Sequence, residues 1–593
     1  MSANNPSPIL TNHAMLVAWG IYARQIGLVE AIEAVRLHQK KREHRPQTKV
    51  IEFLVAILAG LPHLKDLSLS AHPLDQDQAV AEAWQQPAWA DYSGVSRTLS
   101  SLTQAEVEGL MEALQVVSQP FIDREVMLAQ GQPGYLVYDG DLTGRPVSNS
   151  SQTYPGAAYG YMGDTVQLGY QAALVSMHSP TYGRLWLSVK PHPGDKVACT
   201  QLQQMVDDVE TATGVRPRRR TELVRQRLKQ LEQTCQQAQL KWQDAQQQVQ
   251  QMQAKRDEVA DQTQAWQQQL EQLTADYQSR GRLERPHSAL AKARQKLRLY
   301  QQRLPRRDKE VVQAEHRCQR RQEHYQACLQ QLHQLRQHLR QLEMDNASNP
   351  ASVRIKFRLD AGFGTKENID WLIEMGYELY TKPFSHRVTE RLKTKLTSQT
   401  AWQPVGGNAT LTAWAAKTVG QYSYPLDVAL ARYQLGETVR HSALLHYGPD
   451  QVTADLSSWF QTYNGRQTIE AGVKEGKGIF QMHHLKVRAQ PALALQEYLT
   501  TLAANFVRWA AHWLAQQFQP TLADFQPATL QTETRVKHLV QVAAHTSAWV
   551  FWQKDGCLLR FTEQSVYAGQ SLLLGGHYSF QPPLPLFKNS TFY

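Results

Sequence analysis

The stretch YLVYDGDLTG, residues 135–144, is where the chain changes period, and its reading decides the fold. Tyr135, Leu136, Val137 and Tyr138 form a short apolar run that leads straight into Asp139, as in a buried strand. Downstream, TVQLGYQAALVSM (165–177) is rich in β-formers and RLWLSVKP (184–191) alternates before Pro193-Gly194, so three successive strands are expected. Helical spacing returns over Cys199–Thr213, with Leu202, Met205, Val206 and Val209 on one side. The order is βββα. Upstream, from His13 to about Gln130, apolar residues recur at helical spacing, which predicts a helical N-terminal domain over 1–130. Within it, DYSGVSRTLSSLT (91–103) sets a Gly-containing turn before Ser96, Arg97 and Thr98, compatible with a helix-turn-helix DNA-reading head or an ordinary helical hairpin.

Beyond this first part (131–215) the texture becomes Gln-rich, and apolar residues fall at alternating steps of three and four. One seam runs from Leu228 to Tyr277 with only Arg256 and Thr263 polar, and a second from Leu290 to Leu342 with Arg307 and Arg321 as exceptions. The breakers Gly281 and Pro286 lie between them. Two seams of matched length predict an antiparallel coiled-coil hairpin over 216–348, with a kink at Pro305. The strand VRIKFRLD (353–360), the turn AGFG, the helix NIDWLIEMGY (368–377) and the strand ELYTK (378–382) then give βαβ over 349–384. A small β-rich insertion is expected over 385–452 and a helix in DLSSWFQTYNGRQTIEAGVKE (455–475), within a segment 453–490. The C-terminal region, 491–593, carries an apolar helix from Ala492 to Phe518 and a hairpin, AWVFWQKDGCLLRF, turning at Asp555-Gly556.

Composition narrows the partners. Across 593 residues, Lys+Arg 63 against Asp+Glu 53 leaves +10, which favours a polyanionic partner with nucleic acid first. At 42% hydrophobic the chain has apolar material for packed cores, and at roughly 150 residues per domain its length suggests about four units. The five cysteines show no CxxC or zinc spacing, which fits a reducing cytosol. No signal peptide or membrane span is read, because Glu497, Asn505, Arg508 and His512 interrupt the greasiest C-terminal stretch. GVKEGKG (472–478) has three residues between its glycines where a phosphate-binding loop needs four, and His483-His484 has no partner at metal-ligand spacing. Trp402 and Trp414 read as packing residues in preference to base-stacking ones.

With the hairpin and the β insertion set aside, an acidic residue falls on the first strand (Asp141 or Asp139), on the fourth (Asp360) and on the final helix (Glu470). Three carboxylates from separate elements suit hard divalent cations and in-line phosphoryl transfer. Tyr463, Arg466, Glu470 and Lys477 are spaced Tyr-x2-Arg-x3-Glu-x6-Lys, and on one helix those steps share a face. This pattern closely resembles the signature around the catalytic glutamate of DDE transposases from bacterial insertion sequences. YDGDLTG (138–144) is similar to that family's first-aspartate motif, and RLDAGFG (358–364) to its second. The resemblance covers about 135–214 plus 353–485, and the 219-residue spacing from Asp141 to Asp360 departs from the family through the hairpin.

What the resemblance implies is an α+β multidomain chain with a ribonuclease H-like core. It implies cleavage at transposon ends and strand transfer into target DNA, with Asp141, Asp360 and Glu470 holding Mg²⁺, for which Mn²⁺ can substitute. Tyr463, Arg466 and Lys477 are then DNA contacts. The partners are double-stranded terminal inverted repeats and target DNA, in a homodimer or larger synaptic complex in the bacterial cytoplasm, associated with the nucleoid. Asp139 stays open as the alternative first carboxylate, although Asp141 fits the Asp-x-Thr pattern and Asp139 is read as facing the other side of the strand. The competing reading is a catalytically unused DNA-binding or structural protein whose working part is the coiled coil.

Overall fold

The computed structural model describes residues 7–40, 43–149, 153–163, 165–419, 422–517, 536–554 and 556–575. The chain divides into two compact units: 1–218 with 351–593, which is mixed α+β, and 219–350, which is a pair of long helices.

In the first unit, β1 (Ile9–Thr11) precedes seven helices, from α1 (Ala14–Gln25) to α7 (Gln104–Gly131). A capping box starts α7: Thr103 Oγ1 accepts from Glu106 N, and the Glu106 carboxylate accepts from Thr103 N at 2.8 Å. Next come β2 (Leu136–Pro146), β3 (Ala158–Met162), β4 (Thr165–Ser179), β5 (Gly183–Pro193) and α8 (Leu202–Thr213). The sequence reading missed β3. It is five residues long, half exposed, and a simple antiparallel partner to the start of β4.

After the long helices α9 (Thr221–Ser279) and α10 (Ala289–Ala347), the sheet resumes with β6 (Ile355–Arg358), α11 (Lys366–Glu374) and β7 (Glu378–Thr381). β2 lies antiparallel to β4 and parallel to β6, β4 is antiparallel to β5, and β6 is parallel to β7. The central order is therefore β5-β4-β2-β6-β7.

The region expected to be a small insertion is built differently. After α12 (His386–Lys393), strands β8 (Gln403–Gly406), β9 (Ala409–Lys417), β10 (Leu426–Leu435) and β11 (Thr438–Tyr447) continue the same sheet. The join is β11 against β7, with Leu445 opposite Thr381, and among the described residues one ten-stranded sheet results. α13 (Leu456–Asn464) closes its face by burying Trp459, Phe460 and Tyr463 against Leu411 and Leu444. α14 (Gln467–Gly478) and α15 (Gln490–Gln517) follow.

α15 fills the centre of the helical layer. The N-terminal helices share its core, with Tyr22 stacked on Trp513 at 5.0 Å and Phe121 on Trp509 at 4.2 Å. Residues 1–130 therefore do not form a separate body. In a second sheet, β1 pairs with β12 (Ala548–Gln553), which continues into β13 (Gly556–Phe561) and β14 (Ser571–Gly575). Phe518 and Asp555, named in the expected helix end and turn, lie outside the described residues; Gln553 pairs with Gly556. Among the described residues no single helix is long and apolar enough to cross a membrane.

The second unit is an antiparallel pair. As numbers rise along α9 its partners on α10 fall in step: Arg225 meets Glu343, Glu232 meets Arg336, Trp242 stacks on Tyr325, and Arg256 meets Asp308. Each helix has 59 residues, or about 88 Å at 1.5 Å per residue. Cys235, Ala238, Cys328 and Leu332 make a buried cluster in the seam. The polar seam residues are reconciled locally: Arg256 Nε donates to Asp308 at 3.0 Å, and Thr263 Oγ1 donates to the Val259 carbonyl at 2.7 Å. α10 continues unbroken through Pro305, which lies on an exposed side where water can take the carbonyl that loses its donor.

Candidate functional site

β2 and β6 run in parallel register, from Leu136 opposite Ile355 to Asp139 opposite Arg358. β6 ends at Arg358, and Asp360, two residues on, lies near enough for its charge to act on Asp141, two residues past Asp139 on β2. Side chains two apart on a strand share a face. Asp139 and Asp141 therefore point the same way, which corrects the expectation that Asp139 faces the other side. What separates them is their partners. Asp139, 2% exposed, accepts from Arg358 Nε and Nη2, both at 2.6 Å, and from Thr468 Oγ1 at 3.2 Å. It is saturated by a buried bidentate pair. Among the described residues, the Asp141 carboxylate accepts a hydrogen bond only from the adjoining Leu142 N, at 2.9 Å.

Asp360 follows β6 and opens a short 3₁₀ turn, accepting from Gly362 N at 2.9 Å. This is the capping role a strand-terminal aspartate usually has.

Tyr463, Arg466, Glu470 and Lys477 do not lie on one unbroken helix. Tyr463 belongs to α13, and Glu470 and Lys477 to α14; Arg466 stands at the junction as the residue before α14. Gly465 makes the junction possible. A Cβ there would sit 2.2 Å from Arg358 Nη1, and Arg358 cannot retreat because Asp139 grips it while it donates to the Thr462 carbonyl at 3.0 Å. Gly472 gives similar room to Arg184, whose guanidinium reaches the Thr468 carbonyl and Glu475. Two strand-borne arginines thus seat the glutamate helix on the sheet.

Electrostatics join these elements. Burial, and next the Asp360 charge, push the Asp141 carboxyl up to about 6, and burial also raises Asp360. Arg466 opposes both shifts. Burial works against its own charge, but Tyr463, Asp141, Glu470 and Asp360 together hold its pKa above the ordinary value. Burial pushes the Tyr463 phenol up to about 12. Burial lowers Lys477, whose charged neighbours are Arg145, Asp141 and Glu497.

The sequence reading did not single out Lys382, just past β7. Its ammonium lies 5.4 Å from the Tyr463 ring centre, and burial and then Arg466 lower its pKa, while Asp360 and Glu470 oppose them. Only its position after a short strand could have signalled it.

The arrangement is three carboxylates, all hard oxygen donors, with Arg466 as a shared counter-cation and Lys382 and Lys477 beside them. Glu470 is paired with Arg466. Among the described residues no three His, Cys, Asp or Glu side chains converge tightly enough to hold a metal ion. The donor chemistry, and the Asp360 charge that adds to burial in raising Asp141, nevertheless suit a divalent cation. Elsewhere, the His483 and His484 rings lie 3.9 Å apart with His63 4.9 Å from His484, and Trp402 packs beneath Arg432 at 4.4 Å. No family model matches this chain, and no curated protein matches it either.

The Asp141 shift gives a signed pH effect. An aspartate in the unfolded chain ionises near 3.9, so between about pH 4 and 6 the folded protein holds a proton that the unfolded chain releases. Stability from this group therefore falls as pH rises through that window, by about 3 kcal/mol in all. Metal-free Asp141→Asn is expected to be about 1–3 kcal/mol more stable than the native chain at about pH 8 and equal to it near pH 4. Urea unfolding at the two pH values checks this; an equal gain at both would refute the burial account.

Proposed function

We propose that this chain is a DNA transposase of the DDE class with a ribonuclease H-like core, which cleaves transposon ends and joins them to target DNA. One observation carries the reading: Asp141 on β2, Asp360 just past the neighbouring parallel strand β6 and Glu470 on α14 act on one another electrostatically, with Arg466 as their shared counter-charge. Two features add support. The five central strands, taken in chain order without β3, are arranged 3-2-1-4-5, with the first three antiparallel and the last two parallel to the first. The four-residue pattern from Tyr463 to Lys477 supplies the family resemblance.

In this reading Asp141, Asp360 and Glu470 hold Mg²⁺ or Mn²⁺, which when bound activates water or a 3′-hydroxyl and stabilises the leaving oxygen. The residues themselves have separable tasks. Arg466 neutralises the acidic cluster and, with Lys382 and Lys477, offers donors to DNA phosphates. Tyr463 packs beneath Lys382 and shapes the floor. Asp139 and Arg358 position Glu470 without touching substrate. The DNA is double-stranded, the assembly is a homodimer or larger synaptic complex, and the setting is the bacterial cytoplasm and nucleoid.

A second reading, a catalytically unused DNA-binding protein, draws on the Arg466–Glu470 pair. Mg²⁺-dependent nicking of DNA by the full chain separates the two: cleavage supports the transposase, and binding without cleavage supports its rival. For the phosphate contacts, Lys477→Ala should weaken duplex binding roughly tenfold, as expected for one charge-assisted bond, and flatten the salt slope by about one. Unchanged binding and cutting across salt concentrations would remove Lys477 from the DNA surface.

A further inference from the structure

We infer that α10 carries a docking surface for the phosphate backbone of duplex DNA, formed by Lys292, Lys296, Arg303, Arg306, Arg317 and Arg320. The inference rests on the reading of the chain as a DNA-processing protein and assigns its long hairpin a part in that work. From 292 to 320, positions taken at alternating steps of four and three follow one face of a helix outside the α9 seam. Those nine positions hold the six cations, interrupted only by Leu299, Glu310 and Gln313. All six cations are exposed. Arg306 pairs with Glu310 at 3.3 Å; the other five have no ion pair among the described residues.

The charge is confined to one helix. α10 carries 13 Lys and Arg against six Asp and Glu, net +7, whereas α9 carries six against eight, net −2. On the matching face of α9, Lys241 and Lys255 are each followed three residues later by a carboxylate, Asp244 and Glu258. That face is self-neutralised, and the α10 face is not.

Geometry favours a duplex. The stripe rises about 42 Å, a length matched by about twelve base pairs at 3.4 Å each. Contacts to phosphate oxygens carry no sequence information, so the proposed docking is sequence-independent. A helix lying on a membrane needs a broad apolar face beside its cations, and here the apolar face of α10 is taken up by α9.

The test uses the full chain and a fluorescent duplex of about 40 base pairs of arbitrary sequence, titrated from about 50 to about 200 mM salt. In the variant, Lys292, Lys296, Arg303, Arg317 and Arg320 are all changed to Gln. At about 0.9 per phosphate its log–log slope should be shallower by about 4.5, so that across this range the native chain loses on the order of 500-fold more affinity than the variant. A companion variant exchanging Lys and Arg at the same positions should keep the native slope, and equal helical circular dichroism shows that both fold.

A Gln variant with the native slope overturns the proposal. So does one that loses affinity for anionic lipid vesicles but not for the duplex. Mg²⁺-dependent cleavage at saturating protein reports on the core separately. A slope lost in a chain that never cuts DNA keeps the docking surface and removes the catalytic reading.

Discussion

Asp360→Asn is expected to lose Mg²⁺-dependent strand cleavage by at least on the order of 10³-fold while binding duplex as the native chain does. Asp360 stands just past the end of β6, where its charge acts on Asp141 and the Arg466 and Lys382 charges act on it. A carboxylate that helps hold a catalytic cation contributes several kcal/mol to the transition state, and each 1.36 kcal/mol is a factor of ten. The amide keeps the shape and the oxygen that accepts from Gly362 N, so the turn it opens should persist. Nicking assays with equal thermal stability confirmed beforehand check the point. An Asp360→Asn protein that cuts like the native chain would remove this residue from the chemistry.

The second large effect concerns stability. Asp139→Ala should destabilise the first unit by about 3–5 kcal/mol, because it strands a buried guanidinium. Arg358 is 8% exposed and gives both of its paired bonds to Asp139. The same guanidinium supports the α13–α14 junction through the Thr462 carbonyl, so cleavage should fall along with stability even though Asp139 holds no metal in this account. Adding Arg358→Met to Asp139→Ala should recover much of the lost stability by removing the orphaned charge. Urea unfolding of the two variants decides it. If Asp139→Ala is as stable as the native chain but cannot cut DNA, Asp139 is a ligand and not a support.

These two aspartates show what local sequence can and cannot carry. Strand character at 135–144, 165–177, 184–191 and 353–360 was legible because apolar runs and alternation are local signals. The heptads of α9 and α10 were legible for the same reason, and the pairing of Trp242 with Tyr325 follows from matched seams. The partner of Asp139 was not, because Arg358 lies 219 residues away and nothing near Asp139 announces an arginine. The break before Arg466 escaped notice because its cause, the Arg358 guanidinium lying on Gly465, comes from another strand.

The β-rich region misled for a related reason. Its strands were visible, but that β11 would join β7 is a choice of sheet edge, which periodicity does not encode. The N-terminal helices read as a domain of their own because their amphipathic faces do not say which helix will cover them. Phe121 and Tyr22 found that cover on α15, hundreds of residues downstream.

Under the proposed function, breaks made at the clustered carboxylates fall at the ends of a mobile element. The most direct measurement incubates the full chain and Mg²⁺ with supercoiled plasmid carrying the native DNA on both sides of its coding sequence, and maps every strand break. Breaks are expected at a pair of inverted repeats, each exposing a 3′-hydroxyl, present with the native chain and absent with Asp360→Asn. Plasmid left intact by the native chain, or cut equally by both proteins, would contradict it.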